Sequence, residues 1–86
     1  MLFIILYYFN SELQPEFTKQ MRRIKAREFS SFLSKEKQMQ LASKWAKDKL
    51  SHTANYIANS EEEALAKFWE SHDKTRVSIN RVQTIH

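Results

Sequence analysis

The 86-residue sequence contains no glycine, no cysteine and a single proline. Phosphate-binding loops, dinucleotide-binding fingerprints and nucleophile elbows need glycine where the backbone has positive φ or approaches a ligand closely. The lack of glycine therefore excludes most of the familiar small-molecule sites. The lack of cysteine excludes disulfides, thiolate metal sites and cysteine nucleophiles, and it fits a reducing compartment such as the cytoplasm.

A long apolar segment is also missing. The apolar run Leu2–Phe9 (LFIILYYF) has eight residues, whereas a membrane-spanning helix needs about 20. The positive start and small-residue cleavage site of a signal peptide are not found, so we expect no membrane partner. The run is rich in Ile, Phe and Tyr, which predicts a strand that is buried on both faces at the centre of a sheet.

The chain does have enough apolar residues for a folded domain, and its charge is unevenly distributed. Apolar residues make up 42% of the sequence, so we expect residues 1–86 to form one domain. The segment Phe17–Lys49 contains ten basic and three acidic residues, a net charge of +7. The segment Ser51–His86 contains four basic and five acidic residues, a net charge of −1. One half of the chain is therefore expected to present a basic surface.

Two amphipathic helices are predicted in the basic half. The segment Asn10–Gln14 indicates a turn, and Pro15 suits the first position of the helix that follows, where its missing N–H has no partner. The apolar stripe of this first helix comprises Leu13, Phe17, Met21 and Ile24, and Phe29, Phe32 and Leu33 extend it towards Ser34. Ser34 also suits the N-cap of a second helix over Lys35–Leu50.

The other half predicts a strand, a helix and a strand. The segment Ala54–Ala58 suits a short strand; the alternative is a continuation of the second helix, since no glycine or proline ends it. A capping box follows at residues 60–63, with Ser60 as the cap and Glu63 reaching back, and this helix is expected to run to about His72. The segment Arg76–Ile85 predicts a strand, and its broken alternation near Asn80 indicates a bulge.

The predicted fold is α+β in the order β-α-α-β-α-β, with a three-stranded sheet and helices packed on one of its faces. The last two strands are expected to be parallel, joined by a right-handed crossover. The segments SEEEALAKF and VSINRVQTI give an arrangement that resembles a unit of small ribosomal proteins and of many small phage-encoded proteins. Helices on one face leave the other uncovered, and the first strand is apolar on both sides, so we expect a homodimer.

No pattern in the sequence indicates catalysis or a cofactor. The histidines His52, His72 and His86 are widely spaced and form none of the close pairs that bind metals. The serines have no neighbouring base that marks an activated nucleophile. We therefore expect a binding protein rather than an enzyme, without a metal site.

The basic face of the first helix is the candidate binding site. It comprises Lys19, Arg22, Arg23 and Arg27, which fall within about 140° of one another around the helix. Arginine matches phosphate geometry, so this face predicts sequence-independent binding of nucleic acid.

Two alternatives to nucleic-acid binding stay open for this face. The face can be a plain solvated surface, or it can dock on an acidic protein, as in a regulator or adaptor such as a small phage-type inhibitor. Trp45 and Trp69 fall on apolar helix faces and are expected to pack in the core. The aromatic residues of the first helix, such as Phe17, lie on the face opposite its basic residues, which weakens the case for base stacking.

Overall fold

A computed structural model of the chain describes residues 1–27 and 31–86. The predicted order of elements is confirmed over these residues. The elements are β1 (Leu2–Phe9), α1 (Asn10–Lys25), α2 (Lys35–Leu50), β2 (His52–Ile57), α3 (Glu61–Ser71) and β3 (Val77–Ile85). The short strand predicted after the second helix is therefore confirmed, and the alternative of a longer helix is wrong.

β1 is the central strand of the sheet, as its unbroken apolar run predicts. The strand order is β2-β1-β3, and both neighbours pair with β1 in antiparallel register. β2 and β3 consequently run in the same direction, with β1 between them. Leu6 lies opposite Arg81 and Tyr7 lies opposite Ile79, which leaves Asn80 as the extra residue of a bulge. The bulge prediction is confirmed.

α3 packs on the face of the sheet that carries the odd-numbered residues of β1. Phe3 and Ile5 are buried there against Ala64 and Phe68 of α3, and Val77 of β3 joins them. Burial of each large apolar side chain stabilises the fold by about 1.5–3 kcal/mol. We call the three strands and α3 the sheet–α3 unit.

The opposite face of the sheet is partly exposed. Residues that are paired across strands share a face, and Leu2 lies between Ile57 and Ile85. Ile57 is 78% exposed and Ile85 is 50% exposed. An apolar row therefore crosses all three strands on this open face.

α1 begins earlier than the sequence predicts. Its first residue is Asn10, directly after β1, so the predicted turn over residues 10–14 is wrong. The Asn10 N–H donates to the Arg76 carbonyl at 2.8 Å, and the Asn10 side-chain oxygen accepts from the Ser78 hydroxyl. β3 thus fixes the helix start. Pro15 lies inside the helix rather than at its first position.

α1 also ends earlier than predicted. It stops at Lys25, and Phe32 is exposed rather than part of the apolar stripe. Phe29 lies outside the described residues. α2 has the predicted bounds and the predicted cap, since the Ser34 hydroxyl accepts from the Lys37 N–H at 3.2 Å.

α1 and α2 form a helical hairpin that extends from the end of the sheet where β1 finishes. Ile24 and Gln20 of α1 are buried, as are Ala42 and Ala46 of α2. The radius of gyration is 15.6 Å and the longest extent is 46 Å, whereas a compact chain of this length has a radius of roughly 12 Å. A 16-residue helix and an eight-residue strand placed end to end span about 50 Å. The molecule is therefore elongated, with the hairpin as one half.

Candidate nucleic-acid interface

The four predicted contact residues lie along one side of α1 and just beyond its end. Lys19, Arg22 and Arg23 belong to α1, and Arg27 follows it by two residues. All four are exposed. Lys19, Arg23 and Arg27 are spaced by four residues, which places Lys19 and Arg23 on one row of the helix surface.

Arg23 and Arg27 line a groove between the two helices of the hairpin, whereas Lys19 and Arg22 lie outside it. The groove has a volume of about 380 Å³ and is lined by Gln20, Arg23, Arg27, Trp45, Asp48 and Lys49. The Arg27 guanidinium carbon is 5.3 Å from the centroid of the Trp45 ring, within the range of a cation–π contact. The structure therefore brings an aromatic ring of α2 beside the basic residues of α1.

The position of the arginines also has a local cause. Arg22, Arg23 and Lys25 occupy the last turn of α1, where cations interact favourably with the negative end of the helix dipole. This stabilisation accounts for basic residues at this end of the helix, whatever they bind. It does not account for Lys19, which lies more than one turn earlier.

A buried carboxylate holds the two helices together beside the groove. The side chain of Glu16 is 7% exposed, and its Oε1 lies 2.9 Å from the Lys49 Nζ. The amide of Gln20 donates to the same oxygen at 3.3 Å. The hydrogen bond from Lys49 lowers the pKa of Glu16, with a smaller lowering by Gln20, and burial opposes both. Because Lys49 is paired in this way, one cation of the groove has a fixed position.

A larger groove lies on the opposite flank of α2. It has a volume of about 720 Å³ and is lined by Phe17, Glu36, Met39, Gln40, Ser43, Lys44, Lys47 and Asn80. Ser43 lines this larger groove and Trp45 lines the smaller one. The two residues are separated by about 200° around the helix, so the two grooves face different directions. The larger groove combines apolar side chains with lysines and lacks arginine and tryptophan.

Sequence reasoning missed the contribution of α2 to the interface. Trp45 was expected to pack in the core, and it is half-buried at the edge of the groove. Two helices joined by a short connection pack as antiparallel neighbours. Lys49 near the end of α2 pairs with Glu16 of α1, so Trp45, one turn before Lys49, lies beside Gln20, one turn after Glu16. This antiparallel register is the signal that could have placed Trp45 near Arg23 and Arg27.

The structure gives no sign of a metal centre or a membrane span in residues 1–27 and 31–86. No three His, Asp or Glu side chains of these segments are grouped so that they could hold a metal ion. None of the helices described there combines the length and apolar character needed to cross a bilayer. In comparisons with known proteins, no family model, curated protein or solved structure matches the chain.

Proposed function

We propose that this protein is a non-enzymatic, cytoplasmic nucleic-acid-binding protein whose helical hairpin contacts phosphates without reading base sequence. The observation that supports this proposal is the placement of charge. Of the 14 basic residues of the chain, ten lie in Phe17–Lys49, the segment that contains the second half of α1 and all of α2 except its last residue. The hairpin extends away from the sheet–α3 unit, so its sides are accessible to a long polyanion.

The spacing of the basic residues suits a phosphate backbone. Positions four apart on a helix are about 6 Å apart along its axis. Phosphates of one DNA strand advance about 3.4 Å per nucleotide, so Lys19 and Arg23 match alternate phosphates. Phosphate contacts position a protein without specifying sequence, and binding is therefore expected to be largely independent of sequence.

The salt dependence of binding tests the proposal. Four neutralised phosphates give a slope of about −3.6 in a log–log plot of affinity against salt. Fluorescence anisotropy of a labelled duplex, titrated at several salt concentrations, measures that slope. The double variant Arg22→Ala, Arg23→Ala is expected to flatten the slope by about two units.

A matched double variant controls for net charge. Lys74 and Arg76 belong to the sheet–α3 half of the molecule and are exposed, so replacing both with alanine removes the same charge and should leave the slope unchanged. Equal effects of the two double variants would count against the hairpin as the contact surface. Absence of binding at about 50 mM salt, where electrostatic binding is strong, would eliminate nucleic acid as the ligand.

The larger groove favours a second candidate function, docking on an acidic protein. Met39 is 45% exposed in this groove, and methionine adapts to varied apolar partners. Lys44 and Lys47 at the same groove provide charge for an acidic partner. A partner that co-purifies with the native chain and with Arg22→Ala, Arg23→Ala, but is lost from Met39→Glu, would support this function; equal recovery with all three would contradict it.

We also propose that the chain forms a homodimer through the open face of the sheet. Apart from the apolar row at Leu2, this face presents Asn55 and Gln83 beside Ile4, and these uncharged groups allow two copies to approach. Arg81 lies at the other end of the face, opposite Leu6. Light scattering at high concentration should give a dimer mass for the native chain and a monomer mass for Ile57→Lys. A monomer mass for the native chain would overturn the proposal.

A further inference from the structure

We infer that Trp45 is a base-stacking platform and that the nucleic acid bound by the hairpin is single-stranded. This inference depends on the proposed function and narrows its ligand class. It follows from the groove between the helices, where the structure places the partly exposed indole of Trp45 among basic side chains.

The groove provides both a ring and cations for one nucleotide. Aromatic side chains bind successive bases of single strands by stacking, and basic side chains track the backbone. Trp45 supplies the ring, with the Arg27 guanidinium carbon 5.3 Å from its centroid. Arg23 and Lys49 line the same groove. A base that stacks on the indole thus has Arg23 and Arg27 nearby for the adjoining phosphates.

The groove also contains a hydrogen-bond acceptor for a base edge. Asp48 lines it, and the Asn80 amide donates to Asp48 Oδ1 at 3.0 Å. This bond ties Asp48 to the bulge of β3 and orients its carboxylate. Carboxylates accept hydrogen bonds from exocyclic amino groups of bases, and such edges are exposed in single strands.

The position of Trp45 disfavours a duplex as the ligand that reaches the ring. The bases of a duplex are stacked on one another, and only an unstacked base can insert between two helices to meet an indole. The phosphates of a duplex remain accessible to Lys19 and Arg22 outside the groove. The structure therefore predicts binding of both forms, with an additional contribution for the single strand.

The chain contains a matched control for this arrangement. Lys74 Nζ lies 5.4 Å from the centroid of the Trp69 ring, nearly the distance at which Arg27 meets Trp45. Trp69 packs against the cluster that contains Phe68, and the segment Ser51–His86 has a net charge of −1. Trp69 thus has one cation beside it in a segment of net negative charge, and it is not expected to stack with a base.

Fluorescence of single-tryptophan variants gives the first test. In Trp69→Phe the emission of Trp45 should be quenched on addition of an oligo(dC) strand of about 16 nucleotides, because a stacked base contacts the indole directly. In Trp45→Phe the emission of Trp69 should not change with the same strand. A duplex of equal length should leave both signals unchanged.

Affinity measurements give the second test and separate the inference from the proposed function. Replacing Trp45 with leucine should weaken binding of the strand by about tenfold, replacing it with phenylalanine should weaken it less, and duplex binding should not change. Strand and duplex binding that both survive Trp45→Leu, without quenching in Trp69→Phe, would overturn the stacking platform while leaving the proposed function intact. Absence of binding to either ligand would overturn both.

Discussion

The two halves of the molecule differ in what they bury. The sheet–α3 unit buries aromatic and branched aliphatic side chains, among them Phe3, Ile5 and Phe68. The helical hairpin buries one large apolar residue in α1, Ile24, together with two alanines of α2 and the polar Glu16 and Gln20. Since stabilisation scales with buried apolar area, the sheet–α3 unit is the stable scaffold of the chain and the hairpin is the weaker half.

The charge distribution follows the same division. Basic residues are concentrated in Phe17–Lys49, and like charges on neighbouring helices repel one another and reduce stability. The hairpin has few apolar contacts to offset this repulsion. A surface that binds a polyanion has its charge neutralised on binding, so we expect a nucleic acid to stabilise the hairpin more than the sheet–α3 unit.

The largest expected effect on stability comes from the centre of the scaffold. Phe68 is fully buried between the sheet and α3, and truncation of a buried phenylalanine to alanine costs about 3–5 kcal/mol. For a small domain this is a large part of the total free energy of unfolding. Urea denaturation of Phe68→Ala, followed by circular dichroism, should show both halves unfolding together at a much lower midpoint.

The corresponding substitution in the core of the hairpin should destabilise the hairpin without unfolding the scaffold. Ile24 is also fully buried, but Ile24→Ala is expected to open the hairpin while the amides of β1 keep their protection from hydrogen exchange. Exchange followed by mass spectrometry resolves the two halves. Loss of protection in β1 of Ile24→Ala, as extensive as in Phe68→Ala, would show that the hairpin and the scaffold are one cooperative unit.

Removal of the N-terminal caps of α3 and α2 should also affect the two halves differently, but by a smaller free energy than the core substitutions. The Ser60 hydroxyl accepts from the Glu63 N–H at 3.2 Å, and the Glu63 carboxylate accepts from the Asn59 N–H at 2.9 Å. At the start of α2, the Ser34 hydroxyl accepts the corresponding hydrogen bond from the Lys37 N–H, but Lys37 has no carboxylate like that of Glu63. Loss of a serine cap costs about 1 kcal/mol.

Ser60→Ala should lower the free energy of global unfolding by about that amount, because α3 belongs to the scaffold. Ser34→Ala should increase hydrogen exchange in α2 with little change in the global midpoint. Urea denaturation and exchange measure these two quantities. Equal shifts of the global midpoint in both variants would contradict the division into a scaffold and a weaker hairpin.

Local signals in the sequence were sufficient for most of the fold. The apolar run of β1, the capping box at Ser60 and the broken alternation at Asn80 depend on neighbouring residues, and the structure contains all three features. The start of α1 could not be predicted in this way. Asn10 is held by Arg76 and Ser78, which are distant in sequence, and this tertiary contact outweighs the preference of Pro15 for a helix start.

The candidate site could be predicted only in part for the same reason. The exposed basic face of α1 follows from helical periodicity within one segment. The position of Trp45 beside Arg27 depends on how α2 packs against α1, and the open face at Ile57 depends on strand order. Helical periodicity places Trp45 on the apolar side of α2. It does not show that Trp45 lies at the margin of that side, where it lines the groove.

The smallest predicted difference between the halves concerns pH, and it centres on Glu16. The pKa of Glu16 lies below its ordinary value of 4.5 because the hydrogen bond from Lys49 favours the charged carboxylate. Near this pKa, Glu16 therefore binds more protons in the unfolded chain than in the folded chain. The stabilisation of the folded state by Glu16 is fully present above the ordinary pKa, and it is lost as pH falls through the pKa of Glu16 in the folded state. The hairpin should accordingly loosen as pH falls below the ordinary pKa of a glutamate.

A variant and two fluorescent reporters isolate this effect from the other carboxylates. The pKa values of Glu63 and Asp73 in the sheet–α3 half are also lowered, by the Asn59 N–H and by Thr75 respectively, so acid affects both halves. In Trp69→Phe the emission of Trp45 reports the hairpin, and in Trp45→Phe the emission of Trp69 reports the scaffold. Glu16→Gln has no charge to lose, so it should flatten the acid response of Trp45 and leave that of Trp69 unchanged. An acid response of Trp45 that persists in Glu16→Gln would show that another group controls the hairpin at low pH.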